Sequence, residues 1–201
     1  MPLGGLCQGV AMSVPDPEPV PDPAPVRDPA PVWPVRILLL GSQMESGGAQ
    51  RVLLTQAAWL HARGTTVTAA FLYDKEHLHR AWQEQYPFPI INLAAKRPAA
   101  VRAGVLRRAV WLAGGILRLA RLLRRERFDV IETFHHHSNL LGIPLAWLMG
   151  VPVRIASHHG HLHGFPAGLN RLHTALVRSR LTTRYVVVSR QLEAECRAMG
   201  I

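Results

Sequence analysis

The chain has 201 residues, with 23 Lys and Arg against 13 Asp and Glu, which gives a formal net charge of +10 at pH 7. This length fits one domain, and the hydrophobic fraction of 48% is that of a folded protein. The positive charge favours phosphates, nucleic acid or an anionic membrane surface as partners, but it selects none of them. The two cysteines, Cys7 and Cys196, give no basis for a disulfide framework or a cysteine-based zinc site.

Residues 1–34 are dominated by repeated P-D-P and A-P-V pieces. Because such a segment lacks backbone donors and buries little apolar surface, we predict a disordered Pro-rich tail that carries no chemistry. The start of the chain has no basic region, which argues against a secretory signal. The best uncharged apolar stretch, residues 139–153, contains Pro144 and Pro152 and is shorter than the roughly 20 apolar residues that span a bilayer. We therefore expect a cytoplasmic protein without a membrane span.

From residue 35 onwards, apolar runs alternate with helical patterns. Runs rich in β-branched residues predict strands, and glycines such as Gly64 and Gly150 predict the ends of helices. In chain order we predict a strand at residues 35–40, a helix that ends before Gly64, strands at 65–73 and 89–93, a helix at 100–127, a strand at 128–134, a helix at 139–149 with Ser138 as N-cap, a strand at 151–157, a helix at 166–180, a strand at 183–189 and a helix at 191–199.

The predicted helix at residues 100–127 is strongly amphipathic. Its apolar face consists of Val105, Leu112, Ile116, Leu119 and Leu123, and its opposite face carries Arg107, Arg118, Arg121 and Arg125. The arginine face is either a solvated helix surface or a peripheral membrane contact, and Trp111 at its edge would favour the membrane contact. Nucleic-acid binding is disfavoured because no aromatic residues are interleaved with the basic ones.

Strands that alternate with helices and run as continuous apolar stretches predict an α/β fold over residues 35–201, with a doubly wound, Rossmann-like parallel sheet covered on both faces.

Ligands of such sheets bind beyond the carboxyl ends of the strands. The first loop at that edge contains Ser46, Gly47 and Gly48, where backbone can approach a ligand and a helix N-terminus offers N–H groups. We assign these residues to substrate binding, with a purely structural tight turn as the alternative. The loop has neither G-x-G-x-x-G nor a P-loop lysine, which disfavours an ordinary dinucleotide or nucleoside triphosphate site.

Seven of the 11 histidines lie in two further loops at the same edge. The loop after the fourth strand contains His135, His136 and His137, and the loop after the fifth contains His158, His159, His161 and His163. A zinc site is conceivable because imidazole is a good ligand, yet there is no H-E-x-x-H motif and no carboxylate at a ligand spacing. We expect no metal site. The remaining alternatives are solvated loop histidines and one or two histidines that contact substrate, of which His135 is one candidate.

Four segments in this order resemble the N-terminal domain of family 4 glycosyltransferases, and the resemblance covers residues 35–201. They are RILLLGSQMESGGAQRVLLTQAAWLHARGTTVTAAFLY, FDVIETF, GVPVRIASHHG and RYVVVSRQLEAECRAMGI. The resemblance implies one half of a GT-B fold, in which two Rossmann-like domains face each other. It also implies transfer of a sugar from a nucleotide donor to an acceptor with retention of configuration and without a required metal.

The resemblance also implies roles for single residues. Gly47 and Gly48 match the family's Gly-rich loop near the donor phosphates and the acceptor. His159, directly before Gly160, best matches the histidine that contacts the transferred sugar, and His158 is the rival candidate because the register is uncertain by one residue. Breaking a glycosyl–phosphate bond requires fixed dipoles and positive groups around the departing diphosphate, and in this family most of them come from the other half.

We therefore expect the acceptor-binding half of a retaining glycosyltransferase, a hexosyltransferase whose intact form acts on a glycan or lipid-linked acceptor, as in cell-envelope polysaccharide biosynthesis. The nucleotide sugar is a co-substrate, and no bound cofactor is expected. The chain stops before the family's donor domain, so we expect these 201 residues to be inactive alone. The alternatives are a non-catalytic module that binds a glycan or a membrane surface, and a subunit that pairs with a separate donor-binding chain. For the expected cytoplasmic protein, peripheral association with the inner face of the plasma membrane is a further alternative.

Overall fold

The structure, a computed structural model, describes residues 35–94, 105–160 and 165–201, with residues 105–109 described by their backbone alone. The predicted tail at residues 1–34, His161, His163 and the side chain of Arg107 lie outside this description. The strands are β1 (Arg36–Met44), β2 (Thr66–Asp74), β3 (Ile90–Asn92), β4 (Val130–Phe134), β5 (Val153–His158) and β6 (Arg184–Val187). The helices are α1 (Gly48–His61), α2 (His79–Gln85), α3 (Val105–Glu126), α4 (His136–Leu148), α5 (Ala167–Arg178) and α6 (Arg190–Ala198).

The strands form one parallel sheet with the order β3-β2-β1-β4-β5-β6. The chain starts in the middle of the sheet, moves outwards to β3 and then crosses to the other half through α3. This strand order is that of a Rossmann-like, doubly wound fold. The predicted α/β class and parallel sheet are therefore confirmed.

Both faces of the sheet are covered, which explains the continuous apolar run of β1. Leu39 packs with residues of α1 and α2 on one face, whereas Leu38 and Leu40 pack with α3 and α4 on the other. All three side chains are fully buried. Successive side chains of a strand point to opposite faces, so burial of consecutive leucines requires helices on both sides.

Helix α4 lies unusually close to the sheet because residue 142 is a glycine. A Cβ atom at Gly142 would lie 2.6 Å from Leu40 Cδ2 and 2.7 Å from Thr133 Cγ2, below any normal contact distance. The start of α4 is thereby fixed against the carboxyl ends of β1 and β4. This position matters for the site, because the first turn of α4 contains His136 and His137.

The prediction that Ser138 is the N-cap of α4 is wrong. The helix begins at His136, His135 is the N-cap residue, and Ser138 lies within the first turn. Its hydroxyl donates to the carbonyl groups of Phe134 and His135, the local backbone bonding that serine makes inside helices. Helix α2 was not predicted. It begins after Asp74, whose carboxylate accepts from the backbone N–H groups of Leu78 and His79.

Candidate functional site

The loop between β1 and α1 presents a helix N-terminus at the carboxyl edge of the sheet. Gly47 is the N-cap of α1 in extended backbone, no side chain caps the helix, and its first turn has no acidic residue. A Cβ atom at Gly48 would meet no atom of the described residues within 4 Å. The backbone N–H of Ser46 is already bonded to the Glu76 carboxylate, at 2.9 Å. The main-chain donors that can meet a ligand therefore begin at Gly48.

A network of polar side chains joins the ends of β1 and β2 next to this loop. Glu45 forms an ion pair with Lys75 at 2.5 Å and also accepts hydrogen bonds from Gln43 and Gln50. The Tyr73 hydroxyl donates to the side-chain oxygen of Gln43. The hydrogen bond from Lys75 lowers the pKa of Glu45, against the opposing effect of burial, so the carboxylate is ionised at neutral pH. The network fixes these side chains in place and supplies acceptors for hydroxyl groups.

A cavity of about 520 Å³ adjoins this network, within the size range of small-molecule sites. Its lining residues are Ser42, Gln43, Glu45, Gln50, Leu72, Tyr73, Ala94, Trp111, Leu112, Gly115, Ile116, Leu119, His135, His137, Leu141, Leu145 and Phe165. The cavity lies beyond the carboxyl ends of β1 and β4, which are neighbours in the sheet although their following helices cover opposite faces. This is the crevice in which doubly wound folds bind their ligands.

His135 lines the cavity with a strained backbone. Its φ of 75° and ψ of 165° fall in a region that only glycine normally occupies, at a cost of order 1–3 kcal/mol. Its ring makes edge contacts with the rings of His158 and His159, with centroids 6.2 and 5.9 Å away. Burial lowers the pKa of the imidazole, so the ring is neutral at pH 7. The structure therefore places His135 at the carboxyl edge of the sheet, in the wall of the cavity.

Behind His135, a cluster of three histidines is buried between α4, β5 and α5. His136 and His158 are 0% exposed and His173 is 1% exposed. The rings of His136 and His173 stack with centroids 4.0 Å apart, and the ring of His136 contacts that of His158 edge-on at 4.7 Å. Burial lowers the pKa of His136 to about 4, that of His158 to about 3 and that of His173 to about 4. Repulsion from neighbouring histidines lowers each pKa further. All three are neutral at pH 7.

The hydrogen bonds of this cluster define its protonation. His136 Nε2 donates to Asn170 Oδ1 at 3.0 Å, and His173 Nε2 accepts from Asn139 Nδ2 at 2.9 Å. Among the described residues, His158 has no hydrogen-bond partner of normal geometry for either nitrogen, and only the backbone of Gly160 favours its protonated form. The cluster is thus a packed group of neutral imidazoles.

Ring nitrogens of these three histidines lie within 4.8 Å of one another, which makes the cluster a candidate cation site. The rings of His136 and His173 are nearly parallel, with 23° between their planes, so their in-plane lone pairs do not converge on one point. His173 Nε2 is also occupied by Asn139. The arrangement gives no support for a metal ion, and the expectation of none stays a prediction.

His159 has different surroundings from its neighbour His158. It is half-buried and stacks on Phe134, with centroids 4.8 Å apart and 21° between the planes. It also lines a small cavity of about 150 Å³ next to Ser189, the N-cap of α6. Burial lowers the pKa of His159 to about 4, and its buried Nε2 has no hydrogen-bond partner within the part of the chain that the structure describes. A neutral ring of this kind at the rim of a cavity is available to a ligand.

The arginine face of α3 remains a candidate membrane contact. Arg118, Arg121 and Arg125 are exposed, but Arg118 donates to the carbonyl of Leu93 at 2.9 Å and Arg125 approaches Glu126 at 3.5 Å. Trp111 lines the cavity and contacts Tyr73 edge-on at 5.8 Å. Within the described residues, no helix is long and apolar enough to cross a bilayer.

Sequence reasoning missed Glu45, Tyr73 and His173. Glu45 and Tyr73 stand at the carboxyl ends of β1 and β2, so the rule that was applied to the histidine loops also points to them. His173 lies in the middle of α5, and no spacing in the sequence relates it to His136 and His158. Of the predicted residues, the structure brings His135, His158 and His159 into contact, while Gly47 and Gly48 lie at the neighbouring loop.

The sequence matches glycosyltransferase family 4 over residues 46–201. No curated protein matches the chain. Among solved structures, HepE of Anabaena in complex with UDP is 14% identical, with a TM-score of 0.60 over 83% of this chain and 41% of that chain. Sucrose-phosphate synthase of Thermosynechococcus elongatus is 14% identical, with a TM-score of 0.58 over 82% of this chain and 45% of that one.

The lipopolysaccharide outer core galactosyltransferase WaaB in its apo form is 12% identical, with a TM-score of 0.57 over 83% of this chain and 43% of that chain. At these identities the structural likeness concerns the fold alone. This chain spans less than half the length of each of the three proteins. The family match covers most of the sequence, including the β1–α1 loop and every histidine of the site. The chain belongs to glycosyltransferase family 4.

Proposed function

We propose that residues 35–201 form the acceptor-binding half of a retaining glycosyltransferase, which transfers a hexosyl group from a nucleotide sugar to a glycan or lipid-linked acceptor. The observation that supports this most directly is the cavity of about 520 Å³ at the strand-order reversal, lined by hydroxyl, amide and carboxylate groups next to the α1 N-terminus. A family 4 domain with a preformed cavity of this kind has the requirements for holding an acceptor hydroxyl.

His159 contacts the transferred sugar in this proposal. The ring is neutral at pH 7, so it serves as a hydrogen-bond donor or acceptor to a sugar hydroxyl and carries no charge. Its packing on Phe134 holds the ring in place before the sugar arrives. His158 is fully buried and reaches no ligand without rearrangement, so it acts as a packing residue behind His135.

The donor binds mainly to a second domain that faces the carboxyl edge of this sheet. That domain supplies most of the charges for the departing diphosphate, and the α1 N-terminus at Gly48 adds main-chain N–H groups. The nucleotide sugar is a co-substrate, and transfer requires no bound cofactor. The reaction takes place in the cytoplasm, and these 201 residues alone do not catalyse it, whether the second domain belongs to the same polypeptide or to another chain.

A mass-detected transfer assay tests the proposal. It uses a panel of nucleotide sugars, with membranes of the cells that make the protein as the source of acceptor. The 201 residues alone are compared with the same residues together with the polypeptide encoded directly downstream. We expect transfer only from the combination. Transfer by neither would support a non-catalytic binding module instead, and transfer by the 201 residues alone would contradict the need for a second domain.

A further inference from the structure

The large cavity has two chemically different walls. Its polar wall comes from the ends of β1 and β2 and the start of α4. Its other wall is apolar, with Trp111, Leu112 and Ile116 of α3 facing Leu141 and Leu145 of α4. A pyranose ring can stack its C–H face on an aromatic ring such as that of Trp111, but it offers no comparable surface to aliphatic side chains. A glycan alone therefore does not explain the aliphatic part of this wall, which consists of Leu112, Ile116, Leu141 and Leu145.

The apolar wall continues the buried face of α3 beyond the core. Leu119 and Leu123 pack in the core and are 1% and 2% exposed. One and two turns earlier on the same face, Ile116 and Leu112 line the cavity, and Leu112 is 43% exposed. Contact between these apolar side chains and water is unfavourable. An apolar ligand group in the cavity would cover them and remove that contact.

A glycine in α3 widens the cavity. Gly115 is buried, yet a Cβ atom built on it would meet no atom of the described residues within 4 Å, and this position lines the cavity. Among residues other than proline, glycine is the least favourable in a helix interior. Gly114 precedes it in the same helix, likewise has no described atom within 4 Å of its Cβ position, and is not among the lining residues. A substitution at Gly115 therefore tests the cavity, and the same substitution at Gly114 is its control.

We propose that the cavity binds an aliphatic chain of the acceptor, so that the substrate is amphipathic. The chain lies between α3 and α4 against Ile116 and Leu141, and the polar head lies at the strand ends near Glu45 and His135. The identification of the ligand as an acceptor rests on the proposed function. The binding of an aliphatic chain by these residues is independent of any transfer activity.

The test is calorimetric titration of the 201-residue chain with methyl, hexyl, heptyl and octyl β-D-glucoside, each below its critical micelle concentration. Because each buried methylene adds to the hydrophobic contribution, affinity should rise up to about fourfold per methylene from hexyl to octyl. Methyl glucoside should show no measurable binding. Affinity that is independent of chain length, or tighter binding of phenyl than of hexyl β-D-glucoside, would overturn the proposal.

Two variants locate the binding. Gly115→Leu fills the cavity and should weaken octyl glucoside binding at least tenfold, while circular dichroism and thermal unfolding show an intact fold. Gly114→Leu makes the same chemical change one residue earlier and should leave the affinity unchanged. Equal effects of the two variants, or none from Gly115→Leu, would place the alkyl chain elsewhere and contradict the proposal.

The glucoside titration and the transfer assay can fail independently of each other. Chain-length-dependent binding that Gly115→Leu abolishes, without transfer in any combination, would support the aliphatic-chain site and refute the glycosyltransferase proposal. Transfer to a water-soluble glycan, with no chain-length dependence of binding, would support the proposed function and overturn this inference.

Discussion

His158 and His159 are adjacent in sequence, but the structure gives them opposite environments. Side chains of a strand alternate between its two faces, so His158 turns towards α4 and α5, where it is fully buried against His136 and His173. His159 follows the strand end, stacks on Phe134 and borders a cavity. The two residues therefore differ in what their removal should change.

His159→Ala should lower turnover of the combined transferase, because it removes a positioned hydrogen-bonding group next to the reacting sugar. Loss of one such group typically lowers the rate about 10²–10³-fold. The melting temperature should change less than in His158→Ala, since His159 is only partly buried. His158→Ala should instead lower the melting temperature, because it leaves a cavity among buried rings. Measuring turnover and thermal unfolding for both variants distinguishes the two effects. Unchanged turnover in both variants would show that neither histidine contacts the transferred sugar.

His135 offers a second prediction at the residue scale, since its positive φ is unfavourable for any residue except glycine. His135→Gly should relieve the strain, whereas His135→Ala keeps it and removes the same ring. We expect His135→Gly to be more stable than His135→Ala by about 1–3 kcal/mol in urea unfolding. Both variants should lower acceptor affinity because both remove a ring that lines the cavity. Equal stability of the two variants would show that the backbone at residue 135 is unstrained.

At the scale of elements, the position of α4 depends on one glycine. Gly142→Ala places a methyl group within 3 Å of Leu40 and Thr133, so the helix must move away from β1 and β4. Overpacking of this kind typically costs about 1–3 kcal/mol of stability, which urea unfolding measures. Gly168→Ala in α5 is the control: its Cβ position meets no described atom within 4 Å, so helix propensity should make this variant neutral or stabilising. An unaltered stability of Gly142→Ala would mean that α4 tolerates displacement.

The same elements show how far the sequence determines the fold and the site. Every predicted strand is present, because apolar runs between turn residues carry that signal locally. The predicted start of α4 and the predicted N-cap both lie three residues too late, since nothing local in three consecutive histidines indicates that His135 adopts a positive φ. The carboxyl-edge rule located the histidine loops and the Gly47 loop. It did not give the cavity, whose walls form where α3 and α4 meet across residues far apart in sequence.

At the scale of the whole molecule, the site is built over an unusual quantity of buried, neutral imidazole. The cluster of His136, His158 and His173 connects α4, β5 and α5, so it joins the half of the sheet that follows α3 to the helices that cover it. Each ring stays neutral because burial opposes its protonation. We therefore expect the folded domain to lose stability in mild acid, at pH values above those at which carboxylates become protonated.

This last prediction has a definite sign. The three histidines bind protons with pKa values of about 4, 3 and 4 when folded and with the usual value of about 6.5 when unfolded. Between these values the unfolded state binds more protons, so the free energy of unfolding should fall as the pH falls from about 7 towards 4 and stay constant above about 7.5. Each histidine contributes a slope of up to about 1.4 kcal/mol per pH unit.

Urea unfolding at pH 8, 7, 6 and 5 measures this slope. In His158→Gln the buried imidazole is replaced by a side chain that does not titrate, so the slope between pH 6 and 5 should decrease by about one proton. A free energy of unfolding that stays constant from pH 8 to 5 would show that the cluster is accessible to protons in the folded state.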